Sequence, residues 1–109
     1  IDIFLKKKAD SVISVTEAHY PIDWNLKIKK NYLLKKFDNK FKNIKNRQKL
    51  KPTIIPNGGI YIFKKAMIMK QRDYYSKKTF GYLMPKKRSI DIDDYIDFFL
   101  AKSIFDKVV

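Results

Sequence analysis

Cysteine is absent from the 109 residues. This excludes disulfides, thiolate nucleophiles and zinc–thiolate centres, and it is compatible with a reducing compartment, so a cytoplasmic location is expected. Histidine occurs once, as His19, and glutamate once, as Glu17. A lone imidazole near an acid can serve as a general base, but no nucleophile or second ligand stands beside it in the sequence, and His19 is given no role. Arginine is limited to Arg47, Arg72 and Arg88 in a chain with 25 basic residues. Base-edge readout and bidentate phosphate recognition favour arginine over lysine, so sequence-specific nucleic-acid recognition is not expected. The glycines Gly58, Gly59 and Gly81 form no phosphate-cradling loop of the G-x-x-x-x-G-K type. No apolar run approaches the ~20 residues of a membrane span and no secretory signal is recognised at the start, so no membrane partner is expected. The opening Ile1-Asp2-Ile3-Phe4-Leu5 has neither Met nor helix cap and reads as a chain entered within a helix.

What is abundant is lysine. The formal net charge is +14, and the stretch from Lys27 to Lys51 carries most of it, with Asp38 as its single acid. Such a stripe can be a solvated arm, a surface for nucleic acid or an anionic membrane, or an element that packs on a partner subunit. With 45% hydrophobic residues the chain can build one small domain that leaves much of its surface exposed and is marginally stable alone.

Along the chain, Ile1, Phe4, Leu5 and Ala9 fit the tail of an amphipathic helix, and Ser11-Val12-Ile13-Ser14-Val15 is a β-branched strand. Helix feeding strand suggests α/β order. Trp24 to Ile28 and Tyr32 to Phe37 read as two short strands in an antiparallel hairpin. Pro56-Asn57-Gly58-Gly59 is turn chemistry leading into the strand Ile60-Tyr61-Ile62-Phe63. It could also be a site, since Asn57 can both donate and accept hydrogen bonds and the glycines let a ligand or neighbouring backbone approach closely. Ala66 to Tyr75 is expected to be a helix, with Met67, Ile68 and Tyr75 covering a sheet, and Thr79 to Met84 a strand stopped by Pro85. Tyr95, Ile96, Phe99, Leu100, Ile104 and Phe105 give the last helix a wide apolar face suited to packing on that sheet.

The informative stretch is Arg88-Ser89-Ile90-Asp91-Ile92-Asp93-Asp94-Tyr95-Ile96-Asp97-Phe98-Phe99. As an extended backbone it turns Ile90 and Ile92 inward and brings Asp91 and Asp93 out together at a strand end. A carboxylate pair of this kind suits Mg²⁺, which takes one or two carboxylates and leaves its other positions to water and phosphate oxygens. Alternatively, Asp91 or Asp93 caps the following helix and Asp94 complements its positive end, with no ligand needed. Spacing alone slightly favours the cap, because acidic first turns are common helix-start signals.

Four stretches in order resemble one family. Arg88 to Phe98 is similar to the RSIDIDT-x-x-DF motif of the acylneuraminate cytidylyltransferases, the CMP-sialic acid synthetases, with Asp94 where Thr is usual. Ser11 to Val15 resembles the family's SVISV strand, Arg47-Gln48 its R-Q pair, and Asn57 to Ile62 its N-G-A-I-Y-I strand, with Gly59 where Ala or Ser is more common. The resemblance implies the C-terminal half of a Rossmann-like nucleotidyltransferase fold, α/β in class, with a projecting β-hairpin dimerisation arm. Residues 1–24 then supply a helix end and core strand, 25–56 the arm, and 57–109 the acceptor strand, metal motif and C-terminal helix. The family's Arg-, Gly-, Ser- and Lys-rich CTP loop has no counterpart before Ser11, so the nucleotide-binding half is expected to be missing and the isolated chain inactive. The implied reaction joins CMP from CTP to the anomeric hydroxyl of sialic acid or a related nonulosonate, releasing pyrophosphate. The implied site residues are Asp91 and Asp93 for Mg²⁺ and catalysis, with Arg47, Gln48, Asn57, Gly58, Tyr74, Tyr75, Arg88 and Ser89 toward substrate. Arg47 would pair with the sugar carboxylate in two parallel hydrogen bonds, which a lysine cannot do. The expected partners are CTP, the sugar and a second copy of the chain, while a nucleic-acid module or a structural dimerisation remnant is the alternative.

Overall fold

The computed structural model describes residues 1–20, 22–36 and 51–108. The elements run α1 (Asp2–Lys6), β1 (Ser11–Glu17), a 3₁₀ turn (Ile22–Trp24), β2 (Leu26–Ile28), β3 (Leu34–Lys36), β4 (Ile54–Phe63), α2 (Lys65–Gln71), β5 (Thr79–Leu83), a second 3₁₀ turn (Lys86–Arg88) and α3 (Tyr95–Val108). This is the expected α/β class. The chain divides into two compact units, one made of Ile1–Thr16 with Ile55–Val109 and the other of Glu17–Ile54.

In the first unit β1 is the middle strand of the order β4-β1-β5. It runs parallel to β5, with Ser11 opposite Thr79 and Val15 opposite Leu83. Toward β4 it is antiparallel, since Lys64 N–H donates to the Asp10 carbonyl and Ile60 N–H to Ser14 Oγ, so one strand advances as the other returns. A strand flanked on both sides should be rich in β-branched residues and buried throughout. Ser11 to Ser14 are indeed all buried. The apolar core is small: among the described residues, Ala9, Val12, Ile13 and Met67 are its buried hydrophobic members.

Polar stitching supplements that core. Ser11, Ser14 and Thr16 are buried, and each hydroxyl has partners. Ser11 Oγ lies 2.6 Å from the Tyr74 carbonyl and 2.7 Å from Thr79 Oγ1, and Thr16 Oγ1 donates to the Met84 carbonyl. Ser14 links β1 to β4. A buried hydroxyl without a partner costs about 1–3 kcal/mol, and among the described residues no buried side-chain nitrogen or oxygen is left unsatisfied.

Local chemistry ends the first two helices. After α1, Lys8 takes the left-handed conformation at φ 48°, the Ala9 N–H donates to the Phe4 carbonyl and the Lys8 N–H to the Leu5 carbonyl. That is a Schellman closure with lysine where glycine is usual. The helix expected over Ala66 to Tyr75 is shorter, Lys65–Gln71. Arg72 turns left-handed at φ 52°, and Asp73 Oδ1 accepts the Tyr75 N–H, a local turn that competes with helix continuation. Tyr75 is therefore off the helix and 55% exposed, so it does not cover the sheet.

The last helix also departs from expectation. Tyr95, Ile96, Phe99 and Phe105 are each more than 60% exposed, so the wide apolar face is not packed on the described sheet. Its inner contacts are modest: Ala101, Ile104 and Phe105 face Lys87, Arg88 and Ile90 across an open groove.

The second unit holds the expected hairpin, although Trp24 sits in the preceding 3₁₀ turn. β2 and β3 pair antiparallel, with Leu26 opposite Lys36, Lys27 opposite Lys35 and Ile28 opposite Leu34. The connection is a three-residue loop closed by Lys29 N–H to the Leu33 carbonyl and Tyr32 N–H to the Lys29 carbonyl, with Tyr32 left-handed at φ 61°. Leu26, Ile28 and Leu34 are all more than half exposed. A two-stranded hairpin with an open apolar face and two lysines directly opposed is marginal by itself.

Asp10 joins the ends of three segments: its Oδ1 pairs with Lys64 Nζ at 3.1 Å and its Oδ2 accepts from Ser76 Oγ at 3.0 Å. The hydrogen bonds from Lys64 and Ser76 hold its carboxyl below the ordinary value, aided by the charges of Lys64 and Lys78. A depressed carboxyl adds stability above the ordinary carboxylate pKa, and that stability is lost as pH falls through the lowered folded value. Asp10→Asn should therefore melt below the parent at neutral pH, and the gap should close as pH is lowered from about 4. Thermal melts of both proteins across that range check this; a gap that persists unchanged in acid would remove the charge from the account.

Candidate functional site

Asp91 and Asp93 do not lie on a strand. Residues 89–92 are irregular between the 3₁₀ turn and α3, and Ile92 is 55% exposed rather than inward. The reason lies on either side. Arg88 N–H donates to the Pro85 carbonyl and Ser89 N–H to the Lys86 carbonyl, which winds the chain into a turn just before the acidic run. Just after it, the helix start takes over the backbone donors.

That helix start is a reciprocal cap. Asp94 Oδ1 accepts the N–H groups of Ile96 at 2.8 Å and Asp97 at 2.9 Å, while Asp97 Oδ2 reaches back to the N–H groups of Asp93 and Asp94 at 3.1 and 3.2 Å. The pattern is a capping box with aspartate in both positions. The cap is thus Asp94, not Asp91 or Asp93, and Asp97 is a member that sequence reasoning passed over although its three-residue spacing from Asp94 was visible. Asp91 and Asp93 are exposed. Neither carboxylate has a hydrogen bond or cation partner among the described residues. No group of three or more metal-ligating side chains occurs among the described residues, so any ion here would draw on two carboxylates and on ligands from elsewhere.

Asn57 sits at the crossing point of β4 with this segment. Its Oδ1 accepts from Ser14 Oγ at 2.6 Å and from the Gly59 N–H at 3.2 Å; its Nδ2 donates to Ser89 Oγ at 2.8 Å and to Met84 Sδ at 3.4 Å. Both acceptor directions and both amide hydrogens are engaged within the chain. Ser89 Oγ passes its own hydrogen to the Pro85 carbonyl. Next along β4, Gly58 has φ +73°, and a Cβ there would stand 3.7 Å from Asp91 Oδ2. Its positive φ favours glycine, and it lays the β4 backbone against the Asp91 carboxylate. At Gly59 a Cβ would meet Asn57 Oδ1 and Ser14 Oγ at 3.4 Å, a close but ordinary approach. The structure thus brings Asn57, Gly58, Ser89 and Asp91 together.

The other residues singled out in the sequence lie apart from that cluster or outside it. Tyr74 joins an aromatic group on β4, 5.4 Å from Tyr61 and 5.9 Å from Phe63 between ring centroids. Sequence reasoning missed these two partners, although their alternate spacing puts them on one face of a strand. Tyr75 is exposed beside them in sequence, Arg88 borders the groove against α3, and His19 is exposed. Arg47 and Gln48 lie outside the described residues.

Comparison with known proteins agrees with the motifs. Four curated proteins are similar, all named N-acylneuraminate cytidylyltransferase. The relative from Streptococcus agalactiae serotype III (strain NEM316) is 36% identical over 52 residues, which is 48% of this chain and 13% of the relative. That from Escherichia coli O18:K1:H7 (strain RS218 / NMEC) is 38% identical over 52 residues, 48% of this chain and 12% of the relative. The match therefore spans about an eighth of the length of these relatives. No family model matches the chain.

The cap is open to direct measurement. Asp94→Ala should lower stability by about 1 kcal/mol, whereas Asp94→Asn, which keeps the accepting oxygen, should lose far less. Urea unfolding followed by far-UV circular dichroism reads the difference; equal losses in the two variants would sink the cap assignment.

Proposed function

We propose that this chain is part of an N-acylneuraminate cytidylyltransferase and carries its metal and sugar side in a Rossmann-like nucleotidyltransferase fold. The observation that carries this reading is the 36–38% identity, over 52 residues, to proteins that all bear that name. The reaction forms a bond between the anomeric oxygen of a sialic acid or related nonulosonate and the α-phosphorus of CTP. It breaks the bond from that phosphorus to the β-phosphate oxygen and releases pyrophosphate.

The donor set at Asp91 and Asp93 fits Mg²⁺. Both are hard oxygen ligands, exposed and without a competing cation among the described residues, and the ion ordinarily takes one or two carboxylates together with phosphate oxygens. When bound, Mg²⁺ supplies charge neutralisation at the phosphate oxygens. The chain's own residues do the rest. Asp91 and Asp93 hold their charge at the phosphate end, with Arg88 and Ser89 just before them on the substrate side. Tyr74, braced by Tyr61 and Phe63, and Tyr75 offer aromatic surface to the sugar's N-acyl group, and Arg47 with Gln48 meets its carboxylate. The exposed apolar side of the hairpin, Leu26, Ile28 and Leu34, supports a role as an arm that packs on a second copy and brings Arg47 to that copy's site.

The opposed Lys27 and Lys35 favour a second reading, a nucleic-acid stripe. Oligonucleotide binding that weakens steeply as salt rises would support it, because released counterions dominate such binding.

The test separates charge from capping. In a protein that carries this chain together with the CTP-binding loop, Asp91→Asn and Asp93→Asn should fold normally yet release pyrophosphate about 100-fold more slowly or worse. Asp94→Asn should keep most activity, and the 109-residue chain alone should release none. Parental rate and Mg²⁺ dependence in both the Asp91 and Asp93 variants would return the stretch to a capped helix and nothing more.

A further inference from the structure

The three residues Ile90, Asp91 and Ile92 have no hydrogen bond of their own among the described residues. An unanchored carboxylate would sample many positions, and ordering it as a ligand would then cost conformational entropy. The segment is instead held at both ends by side chains. On the helix side, Asp97 Oδ2 fixes the Asp93 and Asp94 N–H groups. On the sheet side, the chain of contacts runs from buried Ser14 through Asn57 to Ser89, two residues before Asp91.

From this we infer that Asn57 is a positioning residue for Asp91, acting through Ser89, rather than a ligand of the sugar. The inference rests on the metal reading given under Proposed function. Three observations carry it. The amide of Asn57 has no donor or acceptor left over, since Ser14, Gly59, Ser89 and Met84 occupy all four directions. Its anchor is the fully buried Ser14, whose hydroxyl also takes the Ile60 N–H at 2.7 Å. And its neighbour Gly58 is the backbone that the Asp91 carboxylate lies over. Asn57 therefore couples the buried middle strand to the one carboxylate the irregular segment would otherwise leave loose. Side chains that orient a ligand in this way typically change metal affinity roughly 10–100-fold when removed.

The experiment needs neither nucleotide nor sugar. Mn²⁺, a paramagnetic stand-in for Mg²⁺, is titrated into the ¹⁵N-labelled 109-residue chain, and amide broadening is followed residue by residue. In the parent, broadening should saturate and centre on Asp91, Asp93 and Gly58. Ser89→Ala and Asn57→Ala should each weaken the apparent affinity roughly tenfold or more, with the β1 amides Val12 and Ile13 unshifted, and Ser89→Thr, which keeps the hydroxyl, should restore it. Ser89→Ala is the milder change, leaving the Ser14–Asn57 bond in place, so the test survives if Asn57→Ala does not fold. Ser89→Ala that lowers the melting temperature but leaves the Mn²⁺ titration at the parental value would overturn the inference and make the link merely structural. Parental chain with no broadening at Asp91 or Asp93 would instead remove the metal reading, and the positioning role with it.

Discussion

The hydrogen bond from Ser14 Oγ to Asn57 Oδ1, 2.6 Å long, is the contact on which the rest of the first unit leans. Ser14 is completely buried in the middle strand, where a hydroxyl is tolerated only if its hydrogen and lone pair both find partners. The Ile60 N–H satisfies one and Asn57 the other. Gly58 turns to positive φ between Asn57 and Ile60, and just beyond it the Ile60 N–H is taken by the serine hydroxyl. From Asn57 the contact continues to Ser89, which ties the start of the acidic segment to β4.

This reliance on polar stitching follows from a shortage of apolar burial. Among the described residues few hydrophobic side chains are fully buried, while Ile96, Phe99 and Phe105 on α3 stand well exposed. Hydrogen bonds of buried hydroxyls contribute about 1 kcal/mol each, less than a buried aliphatic side chain, but they are directional. They fix where strands end and which loop lies beside which strand. The precision of the segment around Asp91 thus comes from geometry rather than from bulk burial.

Several elements were legible in the residues alone. The β-branched run of β1, the strand after Thr79 and the hairpin all carry strong local patterns, and the hairpin's turn needs only three residues of chain. The acidic stretch was legible in chemistry but not in conformation. Alternating Ile and Asp suggested a strand, yet the turn after Pro85 and the Asp94–Asp97 cap claim the flanking N–H groups, and among the described residues no strand pairs with the segment. Likewise the run through Tyr75 has helical spacing, and the helix stops early because Arg72 and Asp73 satisfy the backbone locally.

By itself, then, the sequence determined the class of chemistry available: no thiol, a lone imidazole, a paired carboxylate beside a helix start, and motifs whose order matches one family. Those are properties of residue type and short-range spacing, which the chain carries in any conformation. Only the tertiary structure decided which polar groups remain open to a ligand. Asn57 has the same amide in the sequence as in the fold, but Ser14 precedes it by 43 positions and Ser89 follows it by 32, and neither partner can be inferred from a local pattern. A hydrogen-bonding side chain is committed or free according to what long-range folding sets beside it, and here folding commits Asn57 to the chain and leaves Asp91 and Asp93 exposed.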